Sequence, residues 1–261
     1  MYTKEFLKKQ LADMGISPSD TVIIHTSMKA IGEVEGGPDG VLDAFCEYLQ
    51  NGLFLVPTHT WDIVTPDNPV FDVRTSVPNI GLIPRRAAFR QGGIRSLHPT
   101  HSLWAYGEDA AEFVANEINA DSPATTGFCW DKLADRQAKI LLIGVKNNKN
   151  TFIHSIDERA KLPDRISRNG FKVTITDYDG DNHQIVMRYH DCSKTNDISI
   201  YYGNFEKPMV ETGVQTFGSF GDAEVRIIDA MACRKLIMKI YNRAESDIFA
   251  QHIELPEALY R

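Results

Sequence analysis

The sequence predicts an α/β protein: a layered sheet with helices between its strands and an antiparallel hairpin added to it. Three observations carry this. Short apolar runs, Thr21-Val22-Ile23-Ile24-His25, Leu53-Phe54-Leu55-Val56 and Lys139-Ile140-Leu141-Leu142-Ile143-Gly144-Val145, read as buried strands. Between the first two, Val41, Leu42, Phe45 and Leu49 recur at a helical period. This β-loop-α-β order is that of a layered sheet. Finally, Phe171–Ile175 alternates and Asp179-Gly180-Asp181 turns the chain into Gln184–Arg188, the pattern of a β-hairpin.

In chain order, residues 4 to 14 carry Phe6, Leu7 and Leu11 on one helical face, and the helix stops near Gly15. Ser17-Pro18-Ser19-Asp20 turns into the first strand. The second strand ends at Pro57, which has no N–H for a ladder. Residues 62 to 80 intersperse charges with Pro66, Pro69 and Pro78, an irregular excursion of the kind that faces substrates. A helix over 80–90, a short strand over 103–106 and a helix over 109–118 follow. Ala223–Ile228 is another strand, and Asp229 is placed to cap a helix running through Tyr241. No repeat or Pro/Ser-rich linker divides the chain. One domain over 1–261 is expected, with 62–80 as a substrate-facing loop and 170–215 as a hairpin insertion.

Composition narrows the class. The 261 residues are 43% hydrophobic and 24% charged, ordinary for a globular protein, and the net charge of -7 argues against a nucleic-acid partner. Cys46, Cys129, Cys192 and Cys233 are scattered, as reduced structural thiols are, and show no zinc spacing. The amino terminus lacks the apolar core of a signal peptide, and no run approaches the roughly 18 apolar residues of a membrane span. A cytoplasmic location away from membranes is expected. Neither a Gly-x-Ser-x-Gly elbow nor a Gly-x4-Gly-Lys phosphate loop is present, which disfavours serine hydrolases and nucleotide hydrolases.

Four segments hold chemistry-bearing residues. A helix opening at Thr151 after the Lys139–Val145 strand starts at the carboxyl end of the sheet, where open α/β folds bind ligands. On it, His154 has Asp157 three residues on and Glu158 four residues on, so either carboxylate can lie beside the imidazole. A carboxylate-oriented imidazole is a general base near neutral pH; the same spacing serves a helix-surface ion pair equally well. At the first strand's exit, His25-Thr26-Ser27-Met28-Lys29 offers hydroxyls and free N–H groups to a polar ligand, or simply caps a helix. Arg95-Ser96-Leu97-His98-Pro99-Thr100-His101-Ser102 suits an anion or pantetheine-amide site. Its histidines raise a metal as a rival, but no carboxylate or cysteine completes a ligand set, so no metal is expected. In Pro57-Thr58-His59-Thr60-Trp61-Asp62, Asp62 suits a cationic group beside the Trp61 ring.

In this order the segments resemble the aminoglycoside N3-acetyltransferase family. The matching features are His25-Thr26-Ser27 with Gly36-Gly37, and Val56-Pro57-Thr58-His59-Thr60. Next come Arg95-Ser96-x-His98-Pro99-x-x-Ser102 with Ala105 and Gly107, and Leu141–Val145 leading to Thr151-x-x-His154. Gly221-x-Ala223-x-x-Arg226-x-x-Asp229 closes the series, over roughly residues 5 to 240. The resemblance implies a three-layer α/β/α fold around a mixed sheet and acetyl transfer from acetyl-coenzyme A to an aminoglycoside, at the 3-amino group of its 2-deoxystreptamine ring. It implies His154 as the catalytic histidine, supported by Asp157 or Glu158, and His25 near the thioester. Coenzyme contacts would fall on Thr26, Ser27, Met28, Lys29, Arg95, Ser96, His98 and Ser102; alongside these, the residues themselves suggest acceptor contacts on Trp61, Asp62 and Glu158. Two departures stand out: many relatives read His-x-x-Glu where this chain has Asp157, and Gly218-Ser219-Phe220-Gly221 lies where relatives often carry arginine.

An amine attacks a thioester only as the free base, so a proton acceptor is required, and an imidazole supplies one. No cysteine lies in an acyl-enzyme motif, which favours direct transfer. The alternatives are another amine or aminosugar as acceptor, a noncatalytic coenzyme-binding protein, and a metallohydrolase.

Overall fold

The computed structural model describes residues 1–195 and 197–261. Helix α1 (Lys4–Asp13) leads to β1 (Thr21–Thr26), a single-turn helix α2 (Met28–Ile31), α3 (Gly37–Tyr48) and β2 (Leu53–Pro57). After β3 (Val70–Asp72) come α4 (Leu82–Ala87), β4 (Ile94–Arg95), β5 (Leu103–Tyr106), α5 (Ala110–Val114), α6 (Cys129–Asp135), β6 (Lys139–Ile143) and α7 (Phe152–Arg159). The rest comprises β7 (Phe171–Thr176), β8 (Asn182–Met187), α8 (Glu206–Glu211), β9 (Gln215–Phe220), β10 (Ala223–Asp229), α9 (Ala230–Arg243) and α10 (Glu257–Tyr260). No helix among the described residues is long and apolar enough to cross a membrane.

The main sheet has the order β4-β5-β2-β1-β6-β10-β9. The central strands β2, β1 and β6 are parallel, and the flanking pairs are antiparallel. Both faces are covered, so the central strands are apolar throughout instead of alternating with polar residues. Successive side chains go to opposite faces. Ile23, Leu55, Ile140 and Leu142 join the core under α5, α6, α7 and α9. Val22, Ile24, Phe54, Val56, Leu141 and Ile143 join the other core, under α1, α3 and α4. The result is the three-layer α/β/α arrangement with a mixed sheet.

The structure revises the edges. The β7–β8 hairpin forms as expected, but it does not extend the main sheet. It pairs in parallel with β3, Val70 opposite Thr174, into a separate three-stranded sheet. Val64, Phe71, Val73, Val173, Ile175 and Met187 bury a small core of their own. The 62–80 loop and the 170–215 insertion are therefore one substructure. Strand β9 was not expected, because Gly218 weakens a strand. Here it is a packing requirement: a Cβ at Gly218 would lie 2.5 Å from Met14 Cγ, where α1 reaches the sheet edge. The helix expected over 80–90 is confined to α4, and that over 109–118 breaks into α5 and a 3-10 turn at Glu117–Asn119. Asp229 caps α9 as anticipated, accepting from the Ala232 N–H at 2.9 Å.

Candidate active site

Because β1, β2 and β6 run parallel, their carboxyl ends meet at one edge of the sheet, with α7 opening beside them. A cavity of about 660 Å³ lies there. Its walls come from the end of β1 (Ile24, His25, Thr26), the segment after β2 (Pro57, His59, Trp61), the turn into α7 and His154 on that helix. The insertion closes the far side with Phe171, Tyr189, His190 and Asp197. The volume suits a small molecule.

Six of the eight histidines gather around this cavity. His154 and His190 stack with ring centroids 3.9 Å apart, and His190 meets His101 edge-on at 5.1 Å. His101 lies 4.6 Å from His59 and 5.9 Å from His98, and His25 stacks on Trp130 at 6.1 Å. Burial disfavours the imidazolium in each case. It lowers His25 to about 3 and His190 to about 4, and holds His59, His101 and His154 well below the ordinary histidine range. The cluster is uncharged near neutrality. Nε2 of His25 and of His59 and both nitrogens of His190 are buried without a hydrogen-bond partner among the described residues. Such nitrogens are open to a ligand's polar groups. Among the described residues no set of side chains is arranged to hold a metal ion.

His154 is supported by a relay. Its Nδ1 lies 2.7 Å from the Tyr202 hydroxyl, which donates to Asp157 Oδ2 at 2.6 Å. A phenol has one proton. With that proton on the carboxylate side, His154 Nδ1–H donates to the Tyr202 oxygen, and Nε2 keeps its lone pair. Asp157 also accepts from Tyr241 at 2.5 Å and lies 3.8 Å from Arg165 Nε. Burial raises the Asp157 carboxyl to about 6, against the lowering effect of Tyr202, Tyr241 and Arg165, so it is mostly ionised at neutral pH. Asp157 thus supports His154 through Tyr202 instead of touching it.

Glu158 corrects the other half of that expectation. It faces away from the cavity wall, accepting from Ser122 Oγ and from the Ala124 N–H, the latter at 2.8 Å, and it does not orient His154. Burial pushes its carboxyl up to about 7. A carboxyl whose folded pKa exceeds its unfolded value holds a proton in the native state that the unfolded chain has released. Its stabilising contribution is present below about pH 4.5 and lost as pH rises through about 7. Glu158→Gln should therefore melt above the wild type at pH 8 and level with it at pH 5, with KM for the amine unchanged. A large rise in that KM would return Glu158 to the substrate.

Of the other residues singled out by sequence, His25, Thr26 and Trp61 line the cavity, Trp61 as a rim residue 51% exposed. Ser27 is committed elsewhere: its N–H donates to Ile143 O at 2.9 Å and its Oγ caps the Ala30 N–H at 3.3 Å. Met28 packs on the core, and Lys29 and Asp62 are exposed outside the cavity wall. Arg95, Ser96, His98 and Ser102, which the resemblance makes coenzyme contacts, are not on the cavity wall. All four are buried behind the wall. The Arg95 guanidinium donates to Ser102 Oγ, Ser76 O and Thr58 O at 3.1, 2.6 and 2.9 Å and lies 5.0 Å from the Phe71 ring centroid. Ser96 Oγ accepts from the Leu103 N–H, Ser102 Oγ donates to Thr58 O, and His98 Nδ1 accepts from the Thr100 and His101 N–H groups. These residues brace the loops that carry His59 and His101.

Sequence reasoning missed Tyr202, Tyr241, Arg165 and His190. They lie beyond α7, and only the folded chain brings them to it. One signal was available: Ile198–Phe205 has three aromatics and no charge, which marks a buried segment within the insertion.

A sheet-edge cleft with an oriented imidazole is a site for moving protons, and the sequence places it among acyltransferases. The chain belongs to the aminoglycoside 3-N-acetyltransferase family, whose profile matches residues 23–242. It is 29% identical over 233 residues to aminoglycoside N(3)-acetyltransferase IX of Micromonospora chalcea, across 82% of this chain and 79% of that protein. Two solved structures share the fold. AAC-IIIb in a binary complex with CoASH aligns with TM-score 0.77 and 21% identity, over 90% of this chain and 94% of that one. AAC-VIa bound to sisomicin aligns with TM-score 0.78 and 22% identity, over 94% and 99%.

Proposed function

We propose that this protein transfers the acetyl group of acetyl-coenzyme A directly to an amine, with His154 as general base. The supporting observation is the Asp157–Tyr202–His154 relay, which leaves Nε2 of a cavity-lining imidazole with a free lone pair. The coenzyme assignment rests on family membership, on the CoASH complex of AAC-IIIb, and on a cavity with unpartnered imidazole nitrogens for a pantetheine arm.

In this reading the amine nitrogen forms a bond to the thioester carbonyl carbon and gives a proton to His154 Nε2. The carbon–sulfur bond breaks, the sulfur leaves with its electron pair, and the proton on Nε2 passes to it, giving an amide and a free thiol. Asp157 stabilises the transient imidazolium through Tyr202. Of the Thr26–Lys29 run only Thr26 lines the cavity, and its hydroxyl is assigned to the developing oxyanion. His25, at the end of β1, borders the same space. None of the four cysteines is assigned as an acyl carrier: Cys46, Cys129 and Cys233 are buried with raised pKa, and Cys192 does not line the cavity. Because the relatives named above are aminoglycoside acetyltransferases, an aminoglycoside 3-amino group is the first acceptor to test.

Thiol release from acetyl-coenzyme A, matched one-to-one by acetylated amine, tests the reading. Coenzyme binding with no transfer to any amine would replace it with a noncatalytic binder.

A further inference from the structure

Resting on the acetyl-transfer reading, we infer that Arg165, held in place by Asp247, is a positioning residue whose charge decides which nitrogen of His154 carries the proton. Asp157 is 2% exposed, and the side-chain hydrogen bonds it accepts come from the neutral phenols of Tyr202 and Tyr241. The cation standing against it is Arg165, 3% exposed, with Nε 3.8 Å from Asp157 Oδ2. That distance is too long for a hydrogen bond, so Arg165 acts on Asp157 through its charge. Asp247 grips the same guanidinium in two places, accepting from Nη2 at 2.8 Å and from Nη1 at 3.1 Å. Nη1 also donates to the Pro163 and Asp164 carbonyls, at 3.2 and 3.1 Å, and the Arg165 carbonyl accepts the Asp191 N–H at 3.1 Å. Arg165 is thereby fixed between the chain that follows α7, the insertion and the segment that follows α9.

A carboxyl buried among neutral groups takes up a proton. Burial pushes Asp157 in that direction and the Asp247 charge adds to it; Tyr202, Tyr241 and Arg165 oppose it, and of these three only Arg165 is charged. Behind this set stand His154 beyond Tyr202, Cys233 beside Tyr241, and Lys194 4.0 Å from Asp247. The consequence for His154 follows from the single phenolic proton of Tyr202. While Asp157 is ionised, Tyr202 donates to it and the imidazole keeps its proton on Nδ1. Once Asp157 gains a proton from solvent, its own O–H donates to the Tyr202 oxygen. Tyr202 then turns its proton to Nδ1, and the imidazole proton moves to Nε2. The ring stays neutral, but the lone pair that must receive the amine's proton is gone. Arg165 holds the relay in its productive arrangement at neutral pH by keeping Asp157 an anion.

The experiment records kcat against pH with acetyl-coenzyme A and sisomicin, together with nitrogen-15 NMR of the His154 ring, in the wild type, Arg165→Gln and Arg165→Lys. Arg165→Gln should move the acid limb of kcat upward by at least about one pH unit, the effect of losing an opposite charge at this range. Most of the lost turnover should return on the alkaline side of the new limb, and Arg165→Lys should reverse at least half of the displacement. Below the displaced limb, the His154 ring should be neutral with its proton on Nε2. Arg165→Gln combined with Asp247→Asn leaves no unpaired carboxylate in place of the ion pair, and shows the same upward direction if the single variant does not fold. A limb that stays where it was, a loss of kcat equal at every pH, or a doubly protonated ring below the limb overturns the inference and leaves acetyl transfer standing. Absence of acetylation by the wild type means that the acetyl-transfer reading itself has failed, and the tautomer found by NMR then decides the role of Arg165 alone.

Discussion

Replacing His154 with alanine should lower kcat for acetyl transfer by about 10²–10⁴, the contribution of a positioned general base. KM for acetyl-coenzyme A should stay within about twofold, because the loss falls on a contact formed only in the transition state. The variant should fold, since His154 meets the cavity on one side and its removal opens that space further instead of emptying the core. Steady-state thiol release and a melting curve check both parts. An unchanged kcat removes His154 from the mechanism, whatever the geometry suggests.

Tyr202→Phe has the second largest expected effect and separates a relay from a mere contact. The phenol bridges His154 Nδ1 and Asp157 Oδ2, 2.7 and 2.6 Å away, inside a fully buried site. Without the hydroxyl, neither partner is satisfied by the other, and an unsatisfied buried polar group costs about 1–3 kcal/mol. If that energy appears in the transition state, kcat falls about tenfold to a hundredfold. The imidazole is then free to take the other tautomer, with the proton on Nε2 and no lone pair for the amine. A structural role alone would lower the melting temperature and leave kcat intact. The split between those two readouts decides the role of Tyr202.

The layered sheet was legible because buried parallel strands must be apolar on both faces, as in Ile140–Ile143. The place of His154 on the cavity wall was legible because it stands at the start of a helix beyond such a strand, at the carboxyl end of the sheet. Its partner was not. Spacing of three and four residues brings side chains to one helix face, but both Asp157 and Glu158 lie where tertiary neighbours decide their direction. Tyr202 draws Asp157 toward the relay, and Ser122 with Ala124 draws Glu158 away. The surroundings of Arg95 and His98 were hidden for a related reason: the backbone groups that engage their side chains, Ser76 O, Thr58 O and Ser122 O, lie on distant loops. The separate sheet was hidden because β3 is three residues long, and its pairing with β7 spans about a hundred residues that periodicity cannot connect.

Nitrogen-15 NMR of histidine-labelled protein at neutral pH, with the His154 resonances assigned by their loss in His154→Ala, addresses the relay most directly. The account predicts a neutral ring carrying its proton on Nδ1 and a bare Nε2. A proton found on Nε2, or a ring already charged, would contradict it.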